Sequence, residues 1–271
     1  MSKYDLLRDS KGLEAFKEAL SFYIKPGMKI LELGSSGGLL SFLAAKLGAE
    51  VDCVENDPVY LSTLLDFLRL NDCTEVNVIE ADPEAFVPDE KVDVVICEKL
   101  HAALLEEKQI QVISSFKRNY LEKFGEASLP LFVPEATLLA IQPVQYSFDF
   151  YGFKAPVPMF FDPYNPQTGL VELGDPVLYS SFEYRKTLPL DFSWSGNLAV
   201  KVDGTFSALR IITKNLVGIF VESKTSADWH NEYLVIPVPN EKKVKTGDIV
   251  RLSFSYQAGG SLESLVESVS L

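Results

Sequence analysis

The 271-residue chain has few cysteines, tryptophans and histidines: three Cys, two Trp and two His. The cysteines have neither the spacing of a metal site nor that of a disulfide framework, and Cys53 and Cys97 fall in strand-like runs. Reduced, buried thiols and a cytoplasmic location are therefore expected. No apolar run approaches the length of a membrane span, and the charged first residues are unlike a signal peptide, so no membrane contact is expected.

The chain also has fewer basic residues than acidic ones. The chain has 25 Lys and Arg against 38 Asp and Glu, for a net charge of −13. Such a protein repels a phosphate backbone on average, although a local basic patch would still allow nucleic-acid binding. The acidic balance favours a cationic substrate, and the length allows one large domain or two modest ones.

Residues 30–41 read Ile-Leu-Glu-Leu-Gly-Ser-Ser-Gly-Gly-Leu-Leu-Ser, an apolar strand that runs into a glycine-rich turn and a helix. A second strand, residues 51–55, ends at Glu55, 23 residues after Glu32, where a ribose-binding carboxylate is expected. Ser36 stands where a dinucleotide fingerprint has its middle glycine, and no Gly-Lys-Ser/Thr follows, so a phosphate cradle is disfavoured. The pattern predicts a pocket for an adenosine-containing cofactor; the alternative is a purely structural turn.

The order of elements predicts two domains. Helices alternate with strands in residues 1–133, which predicts an α/β domain with a parallel sheet covered on both faces. Residues 134–271 contain short strand-like runs, the last at Ser264–Leu271, and no convincing helix, which predicts an all-β barrel or sandwich. Residues 151–176 are rich in Pro, Gly and aromatics, as expected of a functional loop or an arm.

Two carboxylates follow the fourth predicted strand. Glu98 ends that strand and Glu107 lies nine residues later, so both can face the pocket opened by the glycine turn. Such a pair can serve as general acid and base, bind a metal or bind a cation. A metal is disfavoured because no second cluster with ligand spacing accompanies the pair, whereas a guanidinium matches carboxylates bidentately. Alternatively, Glu106 and Glu107 begin the next helix and complement its dipole; spacing alone does not decide.

The order and spacing of these segments resemble the protein arginine methyltransferases. That family has a comparable glycine-rich loop, a ribose-binding Glu at the position of Glu55 and a loop with two glutamates nine residues apart, as at Glu98 and Glu107. Its barrel opens with a Phe-Pro-Asp-Arg-Ala-Thr-Leu-like segment, and a Thr-His-Trp turn and a Val-Lys-Thr-Gly turn precede two late strands. The corresponding segments are residues 132–138, 228–235 and 244–250.

The resemblance implies an S-adenosylmethionine-dependent methyltransferase with a Rossmann-like, doubly wound, mostly parallel seven-stranded sheet, followed by a barrel whose arm supports a homodimer. It implies a protein arginine as acceptor, with Glu98 and Glu107 as catalytic residues and His230 as a candidate proton acceptor. The implied cofactor-binding residues are Glu32, Gly34, Ser35, Ser36, Gly38, Glu55, Asn56, Asp82, Glu84 and Glu98. Asp82 and Glu84 have an alternative interpretation as solvated turn carboxylates.

Several positions depart from the family pattern. Gly12 falls near the position of an arginine that binds the cofactor carboxylate in the family. Residues 99–102 read Lys-Leu-His-Ala in place of Trp-Met-Gly-Tyr, and Gln109 replaces a Met. Trp229 and His230 stand in the reverse of the family's order. Two other hypotheses therefore stay open: a methyltransferase for RNA or a small metabolite, and a non-catalytic cofactor-binding module. The Asn/Asp-Pro-Pro-Tyr motif of adenine amino-methyltransferases is absent, which weakens the nucleic-acid version.

Overall fold

The N-terminal half of the chain forms a parallel sheet flanked by helices. The computed structural model describes residues 6, 8–35, 37–125 and 129–271. In chain order the elements are α1 (Ser10–Tyr23), β1 (Lys29–Leu33), α2 (Leu39–Lys46), β2 (Glu50–Glu55), α3 (Pro58–Leu70), β3 (Val76–Glu80), β4 (Val94–Ile96), α4 (Gln109–Phe124) and β5 (Leu131–Val133). The strands lie in the order β3-β2-β1-β4-β5. Within the described ranges this sheet has five strands instead of seven, because the chain enters the antiparallel region directly after β5.

Local sequence signals explain where these helices begin. The Asp9 carboxylate accepts a hydrogen bond from Gly12 N–H at 2.9 Å, and the Asp57 carboxylate accepts one from Val59 N–H at 2.9 Å with Pro58 in the first turn. Strand β4, which lies between β1 and β5, is buried along its whole length, as expected for a parallel sheet covered on both faces. None of the helices in the described parts of the chain is long and apolar enough to cross a membrane.

The C-terminal half is a curled antiparallel sheet. Its strands are β6 (Ala136–Gln145), β7 (Asp149–Phe150), β8 (Phe153–Lys154), β9 (Met159–Phe161), β10 (Val171–Glu172), β11 (Val177–Glu183), β12 (Asp191–Ala199), β13 (Gly204–Phe220), β14 (Thr225–His230), β15 (Tyr233–Val244) and β16 (Ile249–Gln257). The main sheet runs β10-β6-β13-β15-β9, with β11 on β6 and β14 on β13, while β12 pairs with β16.

The prediction of a strand at Ser264–Leu271 is wrong, because this segment contains helix α5 (Leu262–Ser268). The Ser261 hydroxyl accepts a hydrogen bond from Ser264 N–H at 3.3 Å and caps the helix, and Leu265 is fully buried. A capping serine and one apolar face therefore outweigh the strand-like composition.

The predicted arm is only partly a separate structure. Its tip is the β7–β8 hairpin, where Tyr151 and Phe153 are exposed to solvent. The remainder joins the barrel, since β9 pairs with β15 and β10 pairs with β6. The buried Arg210 guanidinium fixes it there by donating to Gln167 Oε1 at 2.7 Å and Glu172 Oε1 at 2.6 Å. We therefore restrict the protruding part to the hairpin tip.

The two halves are joined closely. β5 ends at Val133 and β6 begins at Ala136, so the boundary that we propose, between residues 133 and 134, falls in a two-residue connection. The Tyr23 hydroxyl at the end of α1 donates to Glu135, which also accepts from Ile219 N–H at 2.6 Å. Helix α1 is thus hydrogen-bonded to the start and middle of the barrel.

Candidate active site

A cavity of about 950 Å³ opens where the carboxyl ends of β1, β2 and β4 meet the barrel. Among the predicted site residues, its wall includes Gly34, Glu55, Glu98, Glu107 and His230. The first four come from the parallel-sheet half and His230 comes from β14. The fold therefore brings the predicted cofactor turn and both predicted catalytic glutamates to one cavity.

The glycine turn after β1 has a backbone that only glycine adopts readily. Gly34 and Gly38 have φ angles of +76° and +77°, in the left-handed region. A Cβ on Gly38 would lie 2.2 Å from Leu64 Cδ1, so this residue also permits close packing of α3. The buried Ser35 hydroxyl accepts from Gly38 N–H at 2.8 Å and closes the turn. Ser36 lies outside the described residues.

Glu32 lies beneath the turn and not on the cavity wall. Its buried carboxylate accepts hydrogen bonds from the backbone N–H of Ser41, at 2.9 Å, and from the Ser41 hydroxyl. Burial raises the pKa of this carboxyl above its usual range. The structure thus gives Glu32 a bracing role, tying β1 to the first turn of α2, and a contact of Glu32 with a cofactor stays a prediction.

Glu55 ends β2 with its carboxylate held in place. Oε1 accepts from the backbone N–H groups of Asn56 and Asp57, both at 2.8 Å, and the residue is 4% exposed. A carboxylate fixed at the wall of a cavity is suited to accept hydrogen bonds from a diol. The Asn56 side chain is on the exposed surface beyond this point.

Asp82 and Glu84, which follow β3, are engaged in local interactions. Asp82 Oδ1 accepts from Glu84 N–H at 3.0 Å, and Glu84 Oε1 pairs with Lys108 Nζ at 2.8 Å. These contacts are those of a surface turn, in agreement with the alternative interpretation of this pair. A contact of either carboxylate with an adenine edge stays a prediction.

The loop that carries Glu98 and Glu107 has a strained backbone held by the barrel. Ala103, Leu104 and Glu106 have φ angles of +57°, +57° and +62°, and each such residue costs about 1–3 kcal/mol. Ala103 N–H donates to Thr213 Oγ1 of β13 at 2.7 Å. Glu106 N–H donates to the Gly260 carbonyl at 2.9 Å, and Glu106 Oε1 accepts from the N–H of Leu262, at 2.8 Å. Interactions with the second half of the chain therefore offset the strain.

Gln109, the first residue of α4, fixes the start of this loop. Its fully buried side chain donates to the Cys97 carbonyl at 2.6 Å and accepts from Lys99 N–H at 2.8 Å. Sequence analysis noted Gln109 only as a substitution for Met. A buried amide that satisfies both a carbonyl and an N–H on an irregular segment holds the backbone of residues 97–99 in one conformation.

Lys99 places a cation between the two halves of the cavity, which the sequence did not reveal. Its Nζ lies 3.6 Å from Glu107 Oε2, with 18% of the Lys99 side chain exposed. The end of the same side chain lies over Gly34, since a Cβ on Gly34 would be 3.2 Å from Nζ. The predicted acceptor site therefore contains a positive charge of its own.

His230 faces the cavity from the end of β14. Its ring packs edge-on against Tyr164 and Tyr233, with centroids 6.3 and 6.0 Å away. Burial lowers the pKa of His230, the nearby Lys214 lowers it further, and Asp228 opposes both. The other cavity histidine, His101, is also buried, which lowers its pKa, and its Nδ1 has no hydrogen-bond partner among the described residues.

Trp229 is a packing residue between α1 and the barrel. Its Nε1–H donates to Asp9 Oδ2 at 2.5 Å, and its ring centroid lies 6.3 Å from that of Phe16. A Cβ on Gly12 would lie 3.0 Å from both Leu6 Cδ1 and the Trp229 ring, so this position leaves little room for a side chain. Across the described residues, no group of three or more His, Cys, Asp and Glu side chains is arranged to hold a metal.

Residues 15–117 match the family model of the ribosomal protein L11 methyltransferase, PrmA. An uncharacterized protein of Methanocaldococcus jannaschii is 28% identical over 97% of this chain and 94% of its own length. The ribosomal protein arginine N-methyltransferase rmt3 of Schizosaccharomyces pombe is 27% identical over 55% of this chain and 29% of its own length.

Two solved structures share the whole architecture. Protein arginine methyltransferase 10 of Arabidopsis thaliana aligns with a TM-score of 0.75 and 17% identity, over 92% of this chain and 86% of that one. The PRMT1 enzyme–prozyme heterotetramer of Trypanosoma brucei with AdoHcy aligns with a TM-score of 0.70 and 17% identity, over 93% and 86%.

We expect Gly38→Ala to destabilise the protein more than Gly27→Ala. Both residues have φ near +80°, but a Cβ on Gly27 has nothing within 4 Å, whereas one on Gly38 meets Leu64 at 2.2 Å. The left-handed backbone costs about 1–2 kcal/mol for Ala at either site, and overpacking adds about 1–3 kcal/mol at Gly38. Urea unfolding measures both; equal losses would contradict the close packing of α3 on the turn.

The predicted resemblance and the predicted fold class are confirmed by these comparisons, and the match over residues 15–117 supports an S-adenosylmethionine-dependent methyltransferase. The chain has the fold of that class of enzymes and the two-part architecture of the protein arginine methyltransferases.

Proposed function

We propose that the protein transfers a methyl group from S-adenosylmethionine to the guanidinium of a protein arginine. The observation that supports this proposal is the meeting of Glu98 and Glu107 with Gly34 and Glu55 in one cavity. The first pair suits a cationic acceptor, and the second pair suits the donor. The distance in sequence between the two pairs is large, so their convergence is a property of the fold.

The residues present fit the cofactor. Gly34 lies on the cavity wall and has no side chain, and Glu55 presents a fixed carboxylate to the same space. Gly34 would admit the methionine part, and Glu55 would accept hydrogen bonds from the ribose hydroxyls. S-adenosylmethionine supplies an electrophilic methyl group at its sulfonium.

The two glutamates would compensate for the poor nucleophilicity of a guanidinium. Its pKa exceeds about 12 and its lone pairs are delocalised, so it is cationic and unreactive in water. Glu98 would hold the acceptor, and Glu107 would orient it and draw the positive charge toward one nitrogen, which leaves electron density on another. As the nitrogen–carbon bond forms and the sulfur–carbon bond breaks, the acceptor nitrogen must lose a proton, and His230 is the candidate base.

A basic protein is the acceptor that the charge of the chain favours. The net charge of −13 attracts cationic partners over a range set by the Debye length. The matched family model and the matched protein rmt3 are both named as methyltransferases of ribosomal proteins, so a ribosomal protein is our first choice of acceptor. The buried thiols suit the cytoplasmic location that this acceptor requires.

A second candidate is supported by Lys99. Its ammonium lies 3.6 Å from Glu107 and offsets one of the two carboxylate charges, which favours a less cationic acceptor, such as an RNA base or a small metabolite. Transfer to either would need only one glutamate for orientation.

Glu107→Gln should reduce methyl transfer by about 100-fold or more, because the charge that polarises the acceptor is lost. Cofactor affinity should stay nearly unchanged. The assay incubates tritiated S-adenosylmethionine with a lysate of the cells that make the protein and separates protein, RNA and small molecules. Label in protein supports the proposed acceptor; label in another fraction supports the second candidate.

Glu106→Gln is the matched control, since the Glu106 carboxylate accepts from Leu262 N–H and a glutamine oxygen preserves that bond. It should retain transfer. Unchanged turnover in Glu107→Gln, or equal losses in the two variants, would contradict the role of Glu107.

The rate of transfer should fall at acid pH with a midpoint below 6.5, because His230 must be neutral to accept a proton and its pKa is lowered. Lys214→Met removes a cation that lowers this pKa, so the acid limb should move to higher pH. Lys11→Met, at another lysine of the cavity wall, should leave the limb in place. A limb that is unmoved in Lys214→Met would exclude His230 as the titrating base.

We also propose a homodimer formed through the hairpin tip. Tyr151 and Phe153 are 102% and 77% exposed there, and aromatics so placed suit an interface. Sedimentation velocity should give a dimer for the native chain and a monomer for the Tyr151→Ser, Phe153→Ser double variant, while Ile249→Ser, at an exposed position of β16, stays dimeric. A monomeric native chain would contradict the proposal.

A further inference from the structure

Three cationic side chains other than histidine are found on the described wall of the cavity: Arg8, Lys11 and Lys99. Lys11 pairs with Glu14 at 2.8 Å and is 53% exposed, and Arg8 is also on the exposed surface. Lys99 differs from both, with only 18% of its side chain exposed. Its charge is largely withdrawn from water and therefore acts strongly on its neighbours.

Contacts fix both the backbone and the side-chain ammonium of Lys99. The backbone N–H donates to Gln109 Oε1 at 2.8 Å, so the start of the side chain is fixed by a buried residue of α4. At the other end, Nζ lies 3.6 Å from Glu107 Oε2. It also lies 3.2 Å from the point that a Cβ on Gly34 would occupy. The ammonium thus stands at the junction between the glycine turn and the acceptor glutamate.

A cation at this junction discriminates between the charged groups of the donor. S-adenosylmethionine has a sulfonium, an α-ammonium and one anionic group, the α-carboxylate. A partly buried ammonium repels the first two and attracts the third, and such charge-assisted contacts are short and strong. With the methionine part at Gly34, as proposed above, the carboxylate comes within reach of Nζ.

We propose that Lys99 is a cofactor-binding residue whose ammonium pairs with the α-carboxylate of S-adenosylmethionine while remaining linked to Glu107. This inference rests on the proposed use of that cofactor. It assigns the unusual lysine of the acceptor loop to the donor.

The test compares two ligands by calorimetry. S-adenosylhomocysteine carries the α-carboxylate, whereas 5′-methylthioadenosine has the same adenosine and a thioether but no amino-acid part. Lys99→Met should weaken binding of S-adenosylhomocysteine about tenfold or more and leave 5′-methylthioadenosine unchanged. Lys99→Arg should restore most of the lost affinity, and Lys201→Met, at an exposed lysine outside the cavity wall, should bind both ligands as the native chain does.

Other outcomes would overturn the inference in distinguishable ways. Unchanged or tighter binding of S-adenosylhomocysteine by Lys99→Met would mean that Lys99 does not hold the carboxylate, and the proposed function would stand. Equal weakening of both ligands would mean that Lys99 only shapes the cavity. A native chain that binds neither ligand would overturn the proposed cofactor itself, and this inference with it.

Discussion

The site depends on one constraint, the left-handed backbone of the loop between β4 and α4. Residues such as Ala103 and Glu106 adopt positive φ angles only because partners outside the parallel sheet compensate them: Thr213 Oγ1 from the barrel and the Gly260 carbonyl before α5. Without these bonds, a relaxed loop would no longer hold Glu98 and Glu107 at one cavity. The barrel is therefore part of the proposed acceptor site even where it contributes no reacting group.

The electrostatics of the cavity follow from the same arrangement. Two glutamates on one short loop repel each other, and the partly buried Lys99 reduces that repulsion from the side of the glycine turn. The lysine can do so because Gln109 holds its backbone and because Gly34 has no side chain in the way. A single cation thus connects the donor and acceptor parts of the cavity, which otherwise come from separate stretches of sequence.

The site residues at the ends of the parallel strands could be predicted from the sequence because their signals are local. The glycine turn, Glu55 and the spacing of Glu98 and Glu107 each follow a buried strand, and parallel strands bring their carboxyl ends to one edge. The course of the Lys99 side chain could not be predicted, since it depends on a hydrogen bond to Gln109 and on the lack of a side chain at Gly34. The bracing role of Glu32 could not be predicted either, because the packing of the next helix decides whether a carboxylate near a strand end faces the ligand or the core.

The part of the cavity that is hardest to predict is the region where segments distant in sequence meet. The predicted donor residues Gly34 and Glu55 lie within the first 60 residues, in the segment that matches PrmA, and their positions depend on short-range sequence order. The proposed acceptor region consists of the loop, the barrel and α1. The hydrogen bond between Trp229 and Asp9 holds α1 against the barrel. Substitutions in such a composite region alter geometry without disturbing the donor turn. A chain can therefore keep the fold and the cofactor cavity of its relatives while its acceptor loop takes a different charge, as Lys99 does here.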